Sequence, residues 1–241
     1  MAEPQPVPGA ELLRLTGLHA WYGESHILHG IDLHVRRGEV VTLLGRNGAG
    51  RTTTLKAIMG LVGRRSGSVR INGTEAVTLP PHRIAHLGLG YCPEERGIFA
   101  SLSCEENLLL PPPVAGGGMS LDEIYAMFPN LKARRTSPGG RLSGGEQQML
   151  AVARILRTGA TLLLLDEISE GLAPVIVQAL AQAIRMLRDK GLTVLMVEQN
   201  FRFAAPLADR FYVIEHGQVI ERFDAHELEA RRAMLHEVLG V

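Results

Sequence analysis

The sequence predicts an α/β fold: a mixed sheet with a parallel core, an antiparallel β subdomain and an inserted helical subdomain. Three observations carry this. Short continuous apolar runs at Val40–Leu44, Leu162–Leu165 and Val194–Val197 have the length and unbroken hydrophobicity of strands covered on both faces. The last two are separated by a helical stretch from Pro174 to Lys190, and strand, helix, strand in that order implies a right-handed crossover and a parallel sheet. Between about 100 and 157 the chain changes character and carries three Ser-x-x-Glu helix starts, Ser103/Glu106, Ser120/Glu123 and Ser143/Glu146. In that pattern the serine hydroxyl caps the first turn and the glutamate reaches back to the serine amide.

The remaining elements follow in order. Residues 1–10, rich in Pro and small residues, read as a loose tail, which leaves 11–241 as one domain. Ile31, Leu33 and Val35 alternate with Asp32 and His34, the period of a half-buried strand. Val69–Ile71 runs into Asn72-Gly73, a strand entering a tight hairpin. The first ninety residues thus combine antiparallel strands with one buried strand. Pro111-Pro112-Pro113 and Gly116-Gly117-Gly118 form a loop that neither helix nor sheet tolerates. Phe211–Ile214 and Gln218–Phe223, joined at His216-Gly217, read as a final strand pair, and the last fifteen residues as a helix charged on one side.

Composition narrows the function classes. The chain has 241 residues, 46% of them apolar and 21% charged, an ordinary globular balance that excludes disorder. Its 25 basic and 25 acidic residues cancel, which argues against nonspecific nucleic-acid binding through a basic surface, and no nucleic-acid partner is expected. Two cysteines, Cys92 and Cys104, are too few for a disulfide framework and fit a reducing compartment. No apolar run approaches the roughly 20 residues of a spanning helix, and Met1–Pro4 does not open a secretory signal. The expected location is the cytoplasm, with any membrane association supplied by a partner. The nine histidines show no metal spacing. His82 and His86 stand one helical turn apart but lack the His-Glu-x-x-His carboxylate.

The chemistry concentrates at two strand ends. Gly45-Arg46-Asn47-Gly48-Ala49-Gly50-Arg51-Thr52 directly follows the buried run and has the spacing of the phosphate-binding loop, G-x-x-x-x-G-K-[ST]. Its glycines let backbone amides converge on phosphate oxygens at the positive end of the next helix. Thr52 is expected to place its hydroxyl on Mg²⁺, and Thr53 to add a phosphate contact. Arg51 stands where the motif has lysine; it keeps the charge but is planar and bulkier, so the swap is not automatically conservative. The second strand end is Leu162–Leu165 running into Asp166-Glu167, at the carboxyl edge of a parallel sheet where ligands bind. Asp166 is expected to hold Mg²⁺ and Glu167 to polarise an attacking water.

A third segment, Leu142-Ser143-Gly144-Gly145-Glu146-Gln147-Gln148, resembles the signature motif of ATP-binding cassette (ABC) ATPases. The resemblance implies a P-loop NTPase core, ATP with Mg²⁺, and a head-to-tail dimer. In that dimer Ser143, Gly144, Gly145 and Glu146 of one subunit contact the γ-phosphate held by the other. It also implies that Tyr22 stacks on adenine, that Ser169–Leu172 crosses the dimer interface, and that Glu94 occupies the lid position where most of the family has glutamine, as a candidate catalytic and Mg²⁺-binding residue. Gln199 falls where most have the switch histidine; its amide donates a hydrogen bond but cannot take up a proton. Tyr91-x-Pro93-Glu94 and Val197-Glu198-Gln199-Asn200 resemble one branch, the ATP-binding subunits of bacterial branched-chain amino-acid importers and their urea or amide relatives. Ile168 stands where that branch usually has proline, which only removes a φ restraint.

What the resemblance implies is therefore an ATP-hydrolysing importer subunit at the inner face of the plasma membrane. It would pair with a second ABC ATPase subunit, identical or different, move membrane-spanning permease subunits, and depend indirectly on a periplasmic solute-binding protein. Arg51 and Gln199 together make a slow site plausible. Two alternatives stay open: a low-turnover regulatory nucleotide-binding cassette, motivated by those two residues, and a soluble ABC ATPase acting on ribosomes or nucleic acid. Against the second stand the balanced charge and the absence of a heptad run between Arg51 and Asp166. Phe99 and Leu102 fit either contact with a membrane subunit's helix or core packing.

Overall fold

A computed structural model describes residues 9–239; residues 1–8 of the expected tail and the last two residues lie outside that range. The chain opens with β1 (Glu11–Tyr22) and β2 (Ser25–Arg36), an antiparallel hairpin. β3 (Val40–Leu44) leads through the glycine-rich loop into α1 (Arg51–Ile58). Next come β4 (Arg64–Ile71), the two-residue β5 (Thr74–Glu75), α2 (Pro81–Ala85) and β6 (Leu89–Cys92). Four helices follow before the chain returns to the sheet: α3 (Cys104–Leu109), α4 (Leu121–Met127), α5 (Pro129–Ala133) and α6 (Gly144–Arg157). Then β7 (Leu162–Asp166), α7 (Pro174–Asp189), β8 (Thr193–Val197), α8 (Phe201–Ala204), β9 (Arg210–Glu215), β10 (Gln218–Asp224) and α9 (Leu228–Leu239) complete the chain.

The strands sort into two sheets. One is antiparallel with order β2-β1-β4-β5; the other has order β10-β9-β3-β8-β7-β6, in which five strands run parallel and β10 closes one edge antiparallel. The unbroken apolar runs are accounted for by what covers each face. Along the parallel strands, Val41, Leu43, Leu162, Leu164, Leu195 and Val197 face α1 and the antiparallel sheet. Val40, Leu163, Leu165, Val194 and Met196 face α6, α7 and the inserted helices. Burying a leucine on either face contributes about 2 kcal/mol, so no position on β7 favours a polar residue until Asp166.

The three Ser-x-x-Glu starts all form complete capping boxes, at α3, α4 and α6. Asn72 and Gly73 both adopt positive φ, 50° and 77°, in the turn between β4 and β5, and His216-Gly217 does the same between β9 and β10, at 46° and 73°.

Two strands differ from the sequence expectation. β1 shows no simple alternation because its register slips at Leu13 and again between Leu15 and Leu18, where bulges reset which residues face inward; Leu12 and Leu13 are consequently both buried. β6 is a second buried strand within the first part of the chain, where only one was expected. It is four residues long and contains Gly90, whose missing side chain lets Ala160 and Ile155 approach to 3.1 Å of where a Cβ would be. Propensity alone does not favour a strand there.

Candidate functional site

The sheet order brings the carboxyl ends of β3, β8 and β7 together, and each end releases one functional segment. After β3, residues 45–50 turn back over the sheet edge before α1 begins at Arg51. Two glycines are sterically required. A Cβ on Gly45 would lie 2.3 Å from the Ile214 carbonyl oxygen, and Gly50, at φ +107°, would bring one within 2.9 Å of Leu28 Cδ2. A cavity of about 440 Å³ opens above this loop, lined by Tyr22, Ile27, Asn47, Gly48, Gly50, Arg51, Thr52, Thr53, Glu94, Glu167 and Glu170. Much of the predicted loop, Glu94 of the lid position and Glu167 of the acidic pair thus share one space, while Asp166 lies beneath it against Thr52. Tyr22 stands at its mouth, 43% exposed, a ring with a free face.

Asp166 is fully buried. Its Oδ1 accepts from the Thr52 hydroxyl at 2.9 Å, and its Oδ2 accepts from the Tyr91 hydroxyl at 3.1 Å. Burial pushes its pKa above the usual carboxylate value while those two donors pull it down. Burial and Asp166 together raise the Tyr91 phenol, so it stays protonated and donating. A hydroxyl and a carboxylate oxygen in contact at the foot of the phosphate loop are hard oxygen donors, the type that Mg²⁺ takes when it bridges protein and phosphate.

Glu167 has a strained backbone, φ +46°, which costs about 1 kcal/mol for a non-glycine residue. Its amide is held by the Val197 carbonyl at 2.9 Å, and this turn lifts the carboxyl off the strand end into the cavity. There Glu94, Glu167 and Glu170 bring carboxylate oxygens within 4.8 Å of one another, the one such group of acidic, His or Cys ligands among the described residues. Burial, then the hydrogen bond with Glu170, raises the Glu167 pKa, and the Arg51 charge opposes them.

Arg51 does not project freely into the cavity. It is 3% exposed, and its Nη2 donates to Glu167 Oε1 at 2.8 Å and to Asn47 Oδ1 at 3.1 Å. Its other terminal nitrogen, Nη1, is buried with no partner, an unmatched donor beside the cavity. The motif's positive charge is therefore present but shared with the carboxylate expected to handle the water.

Two expected phosphate-loop residues point elsewhere. Arg46 Nε and Nη2 donate to the carbonyls of Val238 and Glu237, at 2.8 and 3.0 Å, so its guanidinium clamps the end of α9 instead of a phosphate. The Ala49 amide closes a turn on the Arg46 carbonyl at 3.0 Å. Both line a separate small cavity with Ile214, His216 and Val238 on the far side of the loop. They shape the cradle rather than donate into it.

Ser143, Gly144, Gly145 and Glu146 are absent from the lining of the phosphate cavity. They form the start of α6, where Glu146 Oε2 accepts from the Ser143 amide at 2.7 Å and Ser143 Oγ accepts from the Glu146 amide at 3.3 Å. Ser143 and Gly144 are exposed, whereas Gly145 is buried, packed against Ile176. Gln199 lies on a neighbouring cavity with Glu167, Ser169, Glu170 and Glu198. Three participants escaped the sequence reading: Tyr91 as a donor to Asp166, Glu170 as a third carboxylate, and Asn47 through its side chain. Only the proximity of Tyr91 to Glu94 hinted at any of them.

Comparison with known proteins agrees with this geometry. The ABC transporter family model matches residues 28–170. The high-affinity branched-chain amino acid transport ATP-binding protein BraG of Pseudomonas aeruginosa is 41% identical over 218 residues, 87% of this chain and 91% of that protein. The lipopolysaccharide export system ATP-binding protein LptB of Escherichia coli is 34% identical over 205 residues, 83% of this chain and 85% of that protein. A nucleotide-free ATP-binding cassette from an ABC transporter superposes with a TM-score of 0.83 at 22% identity, covering 96% of this chain and 99% of that one, which shows a shared fold.

Proposed function

From the premise that this chain belongs to the ABC transporter family and is its ATP-binding, ATP-hydrolysing component, we propose that it powers a membrane importer for branched-chain amino acids or related solutes. The single observation that carries the catalytic part is the shared cavity. One space of about 440 Å³ is lined by residues 47, 48 and 50 of the glycine-rich loop, by Thr52 beside Asp166, and by Glu167. For the solute, support comes from the similarity to BraG, which exceeds that to the exporter component LptB, and from Val197-Glu198-Gln199-Asn200. Direction and solute class rest on that similarity.

In this reading, amides around Gly48 and Gly50 and the positive end of α1 receive the triphosphate. The orphan Nη1 of Arg51 donates to a phosphate oxygen. Thr52 and Asp166 would hold Mg²⁺, which would neutralise phosphate charge. Glu167, its affinity for protons raised by burial, orients and deprotonates the attacking water. Gln199 donates its amide hydrogen toward the same region, Glu94 adds a carboxylate from the lid, and Tyr22 stacks on the adenine ring.

The exposed start of α6, remote from its own cavity, is completed by a second subunit. Ser143 and the amides of Gly144 and Gly145 seal the nucleotide held by the opposing cassette, while Glu146 maintains the cap. No helix among the described residues is long and apolar enough to cross a membrane, so force reaches the membrane through permease subunits, with Phe99, Leu109 and Leu110, all about half exposed, available as an apolar contact. The solute enters by way of a periplasmic binding protein.

The test compares native protein with Glu167→Gln in Mg²⁺-dependent phosphate release and in affinity for a fluorescent ATP analogue. Loss of a general base lowers turnover by about 10²–10⁴-fold, with analogue affinity retained. Equal turnover in the two proteins overturns the role of Glu167. For the importer reading, vesicles containing the cognate permeases should accumulate labelled leucine on addition of ATP; export of lipid without amino-acid uptake refutes it.

A further inference from the structure

The role given to Glu167 leaves one buried acid beside it unused. Glu198 is 1% exposed, and its carboxylate grips Ser169 at two points: Oε1 accepts from the Ser169 amide at 3.2 Å, and Oε2 accepts from the Ser169 hydroxyl at 2.8 Å. Ser169 is itself 4% exposed. A buried carboxylate is expensive to desolvate, and an apolar residue of similar size commonly serves packing as well or better. The double grip therefore needs a use.

Its position supplies one. Glu198 follows directly on β8 and precedes Gln199; Ser169 follows Asp166, Glu167 and Ile168 at the end of β7. One side chain thus ties the segment carrying Gln199 to the segment carrying Glu167. The tied residues, with Glu170, Gly171 and Leu172, line an open cavity of about 840 Å³, an exposed surface through which the turn after Glu167 can be reached.

We infer that Glu198 is a positioning residue for hydrolysis: by holding Ser169 it locks the turn after Glu167 to Gln199, so that the two groups facing the attacking water keep one mutual arrangement. This rests on the reading of Glu167 as the group that polarises the water. Burial pushes Glu198 up to about 7, so the charged grip strengthens across the neutral range. The other charged groups facing it are Glu167, which raises its proton affinity further, and Glu170 and Arg202 on the same cavity wall.

The experiment measures ATP hydrolysis between about pH 6 and pH 9, and affinity for a fluorescent ATP analogue, in native protein, Glu198→Gln, Ser169→Ala and the double variant. Expected is a kcat loss of about tenfold in each single variant, analogue affinity within about twofold of native, and a double variant no worse than the poorer single one, because both remove one interaction. Glu198→Gln also shifts the acid limb of the pH profile, which a purely structural role would leave in place.

Additive losses, or a Glu198→Gln profile superimposable on the native one, overturn the inference. Should Glu198→Gln fail to fold, Ser169→Ala decides: lowered kcat at unchanged affinity supports the role, and unchanged kcat refutes it. Glu167→Gln in the same assay separates the two failures. If that variant turns over normally, the premise falls; if it is inactive while Glu198→Gln is normal, only the positioning role falls.

Discussion

Burial of Glu198 also predicts how stability varies with pH, independent of turnover. Its carboxyl, ordinarily near 4.5, is raised to about 7 by desolvation. A group whose folded pKa lies above its unfolded one favours the fold while protonated, and that stability is lost as pH rises through the folded value. Each tenfold difference in proton affinity between the folded and unfolded chain corresponds to about 1.4 kcal/mol. Integrated with those two pKa values, this one group lowers native stability by about 2–3 kcal/mol between pH 5 and pH 8.5.

Glu198→Gln removes the titration and keeps the shape. At pH 5 the variant should be less stable than native by about 1 kcal/mol, from the weakened hydrogen bonds to Ser169. At pH 8.5 the order reverses and the variant gains by about 1–2 kcal/mol, the difference of the two figures. Urea unfolding at the two pH values, with slopes constrained to be equal, reads this as a crossing of midpoints. Asp166 and Glu167 titrate in both proteins and cancel to first order in the comparison. Stability differences that stay parallel across the range would refute the assigned burial of the charge.

Further outcomes follow from the same geometry. Arg51→Lys replaces a two-ended guanidinium with a compact ammonium, which cannot pair with Glu167 and Asn47 and face the phosphate in the same way; phosphate release should rise about threefold to tenfold, and an unchanged or lower rate argues against restraint of Glu167 by Arg51. Ser143→Ala removes the α6 cap and should cost about 1 kcal/mol in thermal or urea unfolding, with a turnover loss beyond what unfolding explains; a change in stability alone refutes its place on the opposing nucleotide. Gly50→Ala forces a Cβ to 2.9 Å from Leu28 at a φ of +107°, so analogue affinity should fall at least about tenfold, a penalty of about 1.4 kcal/mol or more. Native affinity in that variant would show that the loop does not need this backbone conformation to bind.

Much of the molecule is written in short stretches of chain. The unbroken apolar runs of β3, β7 and β8, the capping boxes of α3, α4 and α6, and the spacing from Gly45 to Thr52 depend on neighbours within a few residues, where side-chain periodicity and backbone chemistry act directly. Those patterns were enough to locate the phosphate loop and the acidic pair.

Long-range partners were not legible in the same way. Arg51 meets Glu167 across 116 positions, Tyr91 meets Asp166 across 75, and Arg46 reaches the end of α9 across 192. Each pairing exists because strand order places distant segments side by side. β1 was hidden for a related reason: its register shifts against β2 and β4 reset which residues face inward, and no local alternation records them. By itself the sequence determined that β3, β7 and β8 are strands, where α3, α4 and α6 start, and which loop has phosphate-loop spacing, because those are local energies. Only the tertiary structure decided which charge faces which carboxylate, because hydrogen bonding between groups dozens of residues apart is settled by how the sheet brings them into reach.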